Sequence, residues 1–114
     1  MKILLAVRRA DECLTRKAKR YLSEFEVVTV PEASFSGLKN GKLLKAAVEG
    51  GFDILLTIDK NIDYQQNVSK FAIAIVILDV PRSHIRYVKP LIPAFKARID
   101  SYEPGNAYTV ESLE

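Results

Sequence analysis

Short apolar runs alternate with more polar segments along the chain, and their length is typical of strands buried on both faces. Four such runs occupy residues 2–7, 25–30, 53–58 and 72–78. A further run at residues 107–110 follows the turn residues Pro104 and Gly105 and predicts a short closing strand.

The segments between these runs show helical periodicity. Apolar residues recur at helical spacing within residues 11–23 and again after Asn40, a candidate N-cap, up to the candidate stop at Gly50–Gly51. Residues 62–69 predict a short helix or turn. The last apolar stripe, over residues 85–99, follows the candidate cap Ser83 and contains Pro90 and Pro93, which predict a kink or a split into two helices.

This order of elements predicts an α/β fold. Strands that alternate with helices imply right-handed connections and a central, mainly parallel sheet of four to five strands. The chain contains no repeat or linker, so we expect one domain over residues 1–114. Ligands of such sheets bind outside the carboxyl ends of the strands, which is where candidate chemistry is sought.

Composition narrows the class of protein. The chain of 114 residues is 48% hydrophobic and 27% charged, a balance that argues against disorder. Its single cysteine, Cys13, has no partner for an internal disulfide, which favours a reducing compartment. The apolar runs are too short for a signal peptide or a membrane span, so we expect a cytoplasmic protein with no membrane partner.

The formal net charge of +3 is mild, but basic residues cluster near the N-terminus. Such a cluster contacts nucleic-acid phosphates or an acidic partner in some proteins and is a solvated helix face in others. Both interpretations stay open for this segment, whose basic residues are Arg8, Arg9, Arg16, Lys17, Lys19 and Arg20.

Carboxylates follow three of the predicted strands. Asp11 and Glu12 come after the first strand, Asp59 after the third and Asp79 after the fourth. Carboxylates that converge on one sheet edge hold Mg²⁺ or Mn²⁺, and such an ion supports phosphodiester hydrolysis. Aspartate also caps helices and starts turns, so this pattern alone leaves a purely structural role open.

Other chemistries have weaker support. No glycine-rich phosphate loop follows the first strand, and Cys13 has no second cysteine for a zinc site. His84 is the only histidine, and its position at the start of the last helix favours a solvated polar role.

Four stretches resemble a known family. They are residues 11–17, 36–41, 52–61 and 64–67, within a likeness that covers nearly the whole chain. They resemble a family of small PIN-like predicted nucleases, regarded as toxins of bacterial and archaeal toxin–antitoxin pairs. The resemblance implies a PIN-like α/β/α sandwich that hydrolyses RNA with Mg²⁺ or Mn²⁺. It also implies a small helix-turn-helix antitoxin as the protein partner.

The resemblance assigns roles to individual residues. Asp11 and Asp59 would bind the metal ion, and Glu12 would position the attacking water. Asn40 stands where the family has a further acid, and its amide oxygen remains a candidate ligand. The residues implied to lie beside the metal site or the RNA are Arg16, Lys60, Asn61 and Tyr64.

Two departures from the family pattern weaken this assignment. Residues 6–10 intervene between Leu5 and Asp11, and five extended residues span about 17 Å. Asp11 therefore joins the site only if this insert loops back to the sheet edge. Lys42 stands where the family often has a glutamate, and its positive charge opposes cation binding.

These departures keep two other hypotheses open. One is a catalytically degenerate PIN-like domain that binds RNA or a partner protein without cleavage. The other is a protein-interaction subunit, such as a homodimer formed through the late helix or the closing strand. Tyrosine is enriched at interfaces, and Tyr87, Tyr102 and Tyr108 would suit one, although each also fits a half-buried structural position.

Overall fold

The computed structural model of the protein describes residues 1–7, 12–38, 40–58, 68–82 and 84–111, without the side chains of Glu12, Cys13, Asn40 and Val68. The strands in these ranges are β1 (Lys2–Ala6), β2 (Glu26–Thr29), β3 (Ile54–Thr57), β4 (Ala74–Asp79) and β5 (Ala107–Glu111). The α-helices are α1 (Glu12–Tyr21), α2 (Asn40–Glu49), α3 (Ile85–Val88) and α4 (Ile92–Ala97). Short 3₁₀ turns cover Val68–Lys70, Lys89–Leu91 and Ile99–Ser101.

The strands form one five-stranded sheet in the order β2-β1-β3-β4-β5, and every neighbouring pair is parallel. The interior strands consist mainly of apolar residues, which point alternately to the two faces of the sheet. All four residues of β3 are buried, as is typical of a strand covered on both sides.

Helices cover both faces of the sheet, so the fold is an α/β/α sandwich, as predicted. One face packs against α1, α3 and α4 through residues such as Leu14, Ala18 and Phe95. The other face packs against α2 through Leu43, Leu44 and Ala47. Tyr21 belongs to the apolar pattern predicted over residues 11–23, but its side chain is 38% exposed.

The connection from β4 to β5 differs in hand from the two helical connections before it. From β1 to β2 the chain crosses the sheet in one direction over the α1 face. From β2 to β3 it crosses in the opposite direction over the α2 face. Because both the direction and the face change, these two connections have the same hand. From β4 to β5 the chain crosses in the same direction as from β2 to β3, but over the α1 face, so this connection has the opposite hand. The expectation that all connections are right-handed is therefore wrong. The preference arises where a strand feeds directly into a packed helix, and this longer connection consists of short helical pieces.

The ends of the helices follow local sequence signals. Gly51 ends α2 with a φ of +80°, and the N–H of Phe52 donates to the Ala47 carbonyl at 3.0 Å, which is the Schellman arrangement. The late helix is split as predicted, with Pro90 and Pro93 each near the start of a new helical segment. The cap of α3 is His84 rather than Ser83.

Among the described helices, none is both long and apolar enough to cross a membrane.

Candidate functional site

The carboxyl ends of β1 and β3 lie side by side at the place where the chain reverses its direction across the sheet. Ala6 pairs in register with Thr57 at these ends. The strand that follows β1 in sequence, β2, lies on one side of β1, and β3 lies on the other. In open α/β sheets this switch point leaves a crevice at the carboxyl edge, and ligands bind there.

The predicted acidic residues belong to the segments that follow these two strands. Asp11 and Asp59 lie outside the described residues, as do Lys60, Asn61 and Tyr64. Glu12 is the first residue of α1, where a negative charge is favoured by the helix dipole.

The end of β1 shows how much of the insert before Asp11 belongs to the first strand. The strand ends at Ala6, Val7 is already outside it, and α1 begins at Glu12. Residues 8–11 lie outside the described residues, so the participation of Asp11 in the site stays a prediction.

Asn40 is the first residue of α2, on the face of the sheet opposite α1. Its neighbour Gly41 lies close to the ring of Phe71, which precedes β4. An open groove at this position is lined by both of these residues together with Gly37, Lys42 and Lys45. The Asn40 side chain, Asp11 and Asp59 all lie outside what the structure describes, so the role of Asn40 as a metal ligand stays a prediction.

Polar residues at the ends of β3 and β4 also lie at the carboxyl edge of the sheet. Thr57, the last residue of β3, is fully buried. Asp79, the last residue of β4, is half-buried and pairs in register with Glu111 of β5. The alternation of side chains puts this register pair on the α2 face. The sequence pattern pointed to Asp79, whereas Glu111 was missed because register between strands is set by tertiary packing.

His84 has a structural role. Its Nδ1 accepts the backbone N–H of Arg86 at 3.1 Å and caps α3. The side chain is otherwise exposed, which agrees with the solvated role expected from its position.

A basic surface lies on α1 and continues to the 3₁₀ turn that follows α3. Arg16, Lys17 and Arg20 are exposed, and none of them has an ion pair with a described residue. Lys89, the first residue of the 3₁₀ turn after α3, lies over the ring of Tyr21, with Nζ 5.4 Å from the ring centroid. Lys19 on the same helix differs from these three residues, because its Nζ forms an ion pair with Glu32 at 2.9 Å.

Within the described ranges, no three side chains of histidine, cysteine, aspartate or glutamate are grouped as a metal site requires. Comparisons with protein-family models, with curated proteins and with solved structures found no match. The assignment of function therefore depends on the sheet topology, the residue chemistry and the resemblance given above.

Proposed function

We propose that this protein is a metal-dependent ribonuclease of the PIN-like type, with its active site at the carboxyl ends of β1 and β3. The observation that carries the proposal is the adjacency of these two strands at the switch point of the sheet. The segments after them contain Asp11 with Glu12 and Asp59. Carboxylates from two segments that leave neighbouring strand ends are well placed to act on one ligand.

The residue chemistry in these segments fits a hard divalent cation. Asp11 and Asp59 supply carboxylate oxygens, the ligand type that Mg²⁺ and Mn²⁺ prefer. Such an ion, when bound, activates water and stabilises the negative charge that builds up on a phosphodiester. Asp79 at the end of the neighbouring strand β4 adds a further carboxylate to the same edge.

The other residues in the proposed site act on water and RNA. Glu12 orients the attacking water, while Arg16 and Lys60 hold phosphate oxygens. Tyr64 contacts a base, because an aromatic ring stacks on any nucleobase in a single strand. Asn61 holds the ligating side chains in place from beside Asp59.

A cleavage assay tests this proposal with a control from the other end of the same strand. Labelled single-stranded RNA is incubated with the protein and Mn²⁺, with EDTA, and with the variants Asp59→Asn and Asp53→Asn. Asp53 precedes β3 at the opposite edge, where its Oδ2 accepts the Lys2 N–H at 2.8 Å. We expect cleavage that EDTA and Asp59→Asn abolish and Asp53→Asn leaves intact. Folded wild-type protein that cuts no RNA would contradict the proposal.

A second candidate function is RNA binding without cleavage. The specific observation in its favour is the basic surface of Arg16, Lys17 and Arg20 on α1, with no anionic partner among the described residues. Cations left exposed on one helix face neutralise phosphates independently of any metal ion. RNA binding that persists in EDTA, together with a lack of cleavage in Mn²⁺, distinguishes this candidate from the nuclease.

The PIN-like resemblance also supports a protein partner. The partner it implies is a small helix-turn-helix antitoxin that covers the site. Co-expression with the product of an adjacent reading frame tests this part of the proposal, and retention of that product on the tagged protein is the expected result.

A further inference from the structure

The outer edge of β5 carries backbone groups that no described residue engages. The N–H of Ile75 donates to the Asn106 carbonyl at 3.0 Å, and this bond fixes which residues of β5 face β4. In that arrangement the N–H and C=O groups of Ala107, Thr109 and Glu111 point away from the sheet. All three residues are exposed, and no hydrogen bond within the described chain uses these groups. The edge is an open template for another strand.

The opposite edge of the sheet is blocked at the end of β2 by the turn that follows this strand. The outward N–H of Thr29 at the end of β2 donates to Glu32 Oε1 at 2.9 Å. The Thr29 carbonyl accepts the Ala33 N–H at 3.0 Å, and Pro31 lies between them. These bonds occupy the last outward-facing groups of β2, so strand addition is available at β5 and blocked at the end of β2.

We propose that β5 pairs antiparallel with β5 of a second copy of this chain, with Thr109 of both copies at the two-fold axis. In this register Thr109 faces Thr109 as a hydrogen-bonded pair, and Ala107 faces Glu111 on each side. Every outward N–H and C=O of the three residues then finds a partner in the other copy. A two-fold axis requires a self-complementary surface of this kind.

The side chains of β5 also favour a second copy as the occupant. Tyr108 faces Val110 across the axis, and aromatic residues pair well with β-branched residues on neighbouring strands. Glu111 faces Ala107, so no like charges are directly opposed. The strand contains neither a lysine nor a proline, the residues that commonly protect a sheet edge from pairing.

The dimer would form one continuous ten-stranded sheet, since each copy contributes five strands. Antiparallel pairing points the carboxyl edges of the two copies to opposite ends of this sheet. Each copy therefore keeps its own separate candidate site, and the inference is independent of the proposed nuclease activity.

Hydrogen exchange tests the interface in the unmodified protein. At low protein concentration we expect fast exchange of the Ala107, Thr109 and Glu111 amides, with slow exchange of the Tyr108 and Val110 amides that bond to β4. At high concentration the first set becomes protected while the second set changes little. Fast exchange of the first set at every concentration would overturn the proposal.

Charge variants at the two-fold axis provide a second test, read by sedimentation. Thr109→Lys and Thr109→Glu each oppose like charges and should weaken the dimer about tenfold. An equimolar mixture of the two should restore dimers, because lysine then faces glutamate. Thr109→Val keeps the edge uncharged and should dimerise like wild type. The proposal fails if wild type stays monomeric at all concentrations, or if its dimer is unaffected by both charged variants.

Discussion

The ammonium group of Lys19 donates to both carboxylate oxygens of Glu32, at 2.9 and 3.0 Å, and so connects α1 to the turn after β2. Glu32 also accepts the backbone N–H of Thr29 at 2.9 Å. Because these donors favour the charged form, first the Lys19 ammonium and then the Thr29 N–H, they lower the pKa of Glu32. A single carboxylate therefore engages the outward N–H at the end of β2 and links α1 to the turn that follows this strand.

This arrangement predicts a loss of stability in acid. A lowered pKa in the folded state contributes stability above the pKa of the unfolded chain, and this contribution disappears as the pH falls through the folded value. Both side chains are partly exposed, at 35% and 50%, so solvent screening limits the contribution to less than about 1 kcal/mol.

Urea unfolding at pH 7 and at pH 3 measures this effect. We expect Glu32→Gln to lose stability at pH 7 and to match wild type more closely at pH 3. Lys96 lowers the pKa of Glu24 in the same direction, so the comparison uses the difference between wild type and variant. An equal difference at both pH values would show that the ion pair has no role in the acid sensitivity.

The buried Tyr102 predicts a loss of folding stability at alkaline pH, the reverse of the loss in acid predicted for Glu32. Its hydroxyl donates to the Phe95 carbonyl at 3.1 Å, and its ring stacks on the Phe95 ring at 5.4 Å. Burial raises the pKa of Tyr102, because the phenolate is poorly solvated in the core. Stability is then complete below the unfolded pKa and falls as the pH rises towards the folded value.

We expect Tyr102→Phe to cost about 1–2 kcal/mol at pH 7, since the Phe95 carbonyl loses its donor. The same variant should lose less stability than wild type between neutral and strongly alkaline pH. Guanidinium unfolding across that range is the measurement, with Tyr21→Phe on the exposed side of α1 as the control. A Tyr102→Phe variant with the alkaline profile of wild type would contradict the prediction.

The sequence predicted the secondary structure well because local signals control it. Gly50–Gly51 ends α2 and the two prolines split the last helix, since both effects act within one turn of the chain. The pairing of Asp79 with Glu111 and the reversed hand of the last connection were not predictable in this way. They depend on which strand edges and faces meet after the chain collapses, and no local pattern encodes that choice.

In the candidate site, too, the local features were predictable from the sequence and the arrangement of strands was not. The apolar runs indicated that Asp11 and Asp59 follow strands, whereas the adjacency of β1 and β3 is a property of the whole sheet. The predictions for Asp11, Lys60 and Tyr64 fall outside the described residues and stay predictions.

Lys42 provides a test of whether its positive charge opposes metal binding near the first turn of α2. It is exposed in the first turn of α2 and shares a groove with Lys45, one turn further on. If the first turn of α2 belongs to the metal site, a carboxylate at position 42 supplies an oxygen ligand and removes an opposing charge. We expect Lys42→Glu to bind Mn²⁺ several-fold more tightly, measured by calorimetry.

Lys45→Glu is the matched control, because it makes the same change of net charge in the same groove. An equal gain in both variants would indicate long-range electrostatics, and no gain in either would remove α2 from the metal site. Bound metal also stabilises the folded protein, by an amount that grows with the logarithm of the ligand excess, so a thermal shift gives a readout independent of catalysis.

The basic surface of α1 makes a prediction that holds with or without cleavage. If Lys17 and Arg20 contact phosphates, replacing each with glutamine removes about one unit from the slope of log affinity against log salt concentration. Binding of a fluorescent single-stranded RNA in EDTA, over a range of salt, measures this slope. Lys70→Gln is the control, since Lys70 lies in the exposed turn before β4. A slope that falls equally in all three variants would mean that RNA is attracted by net charge alone, and α1 would then be an ordinary solvated helix.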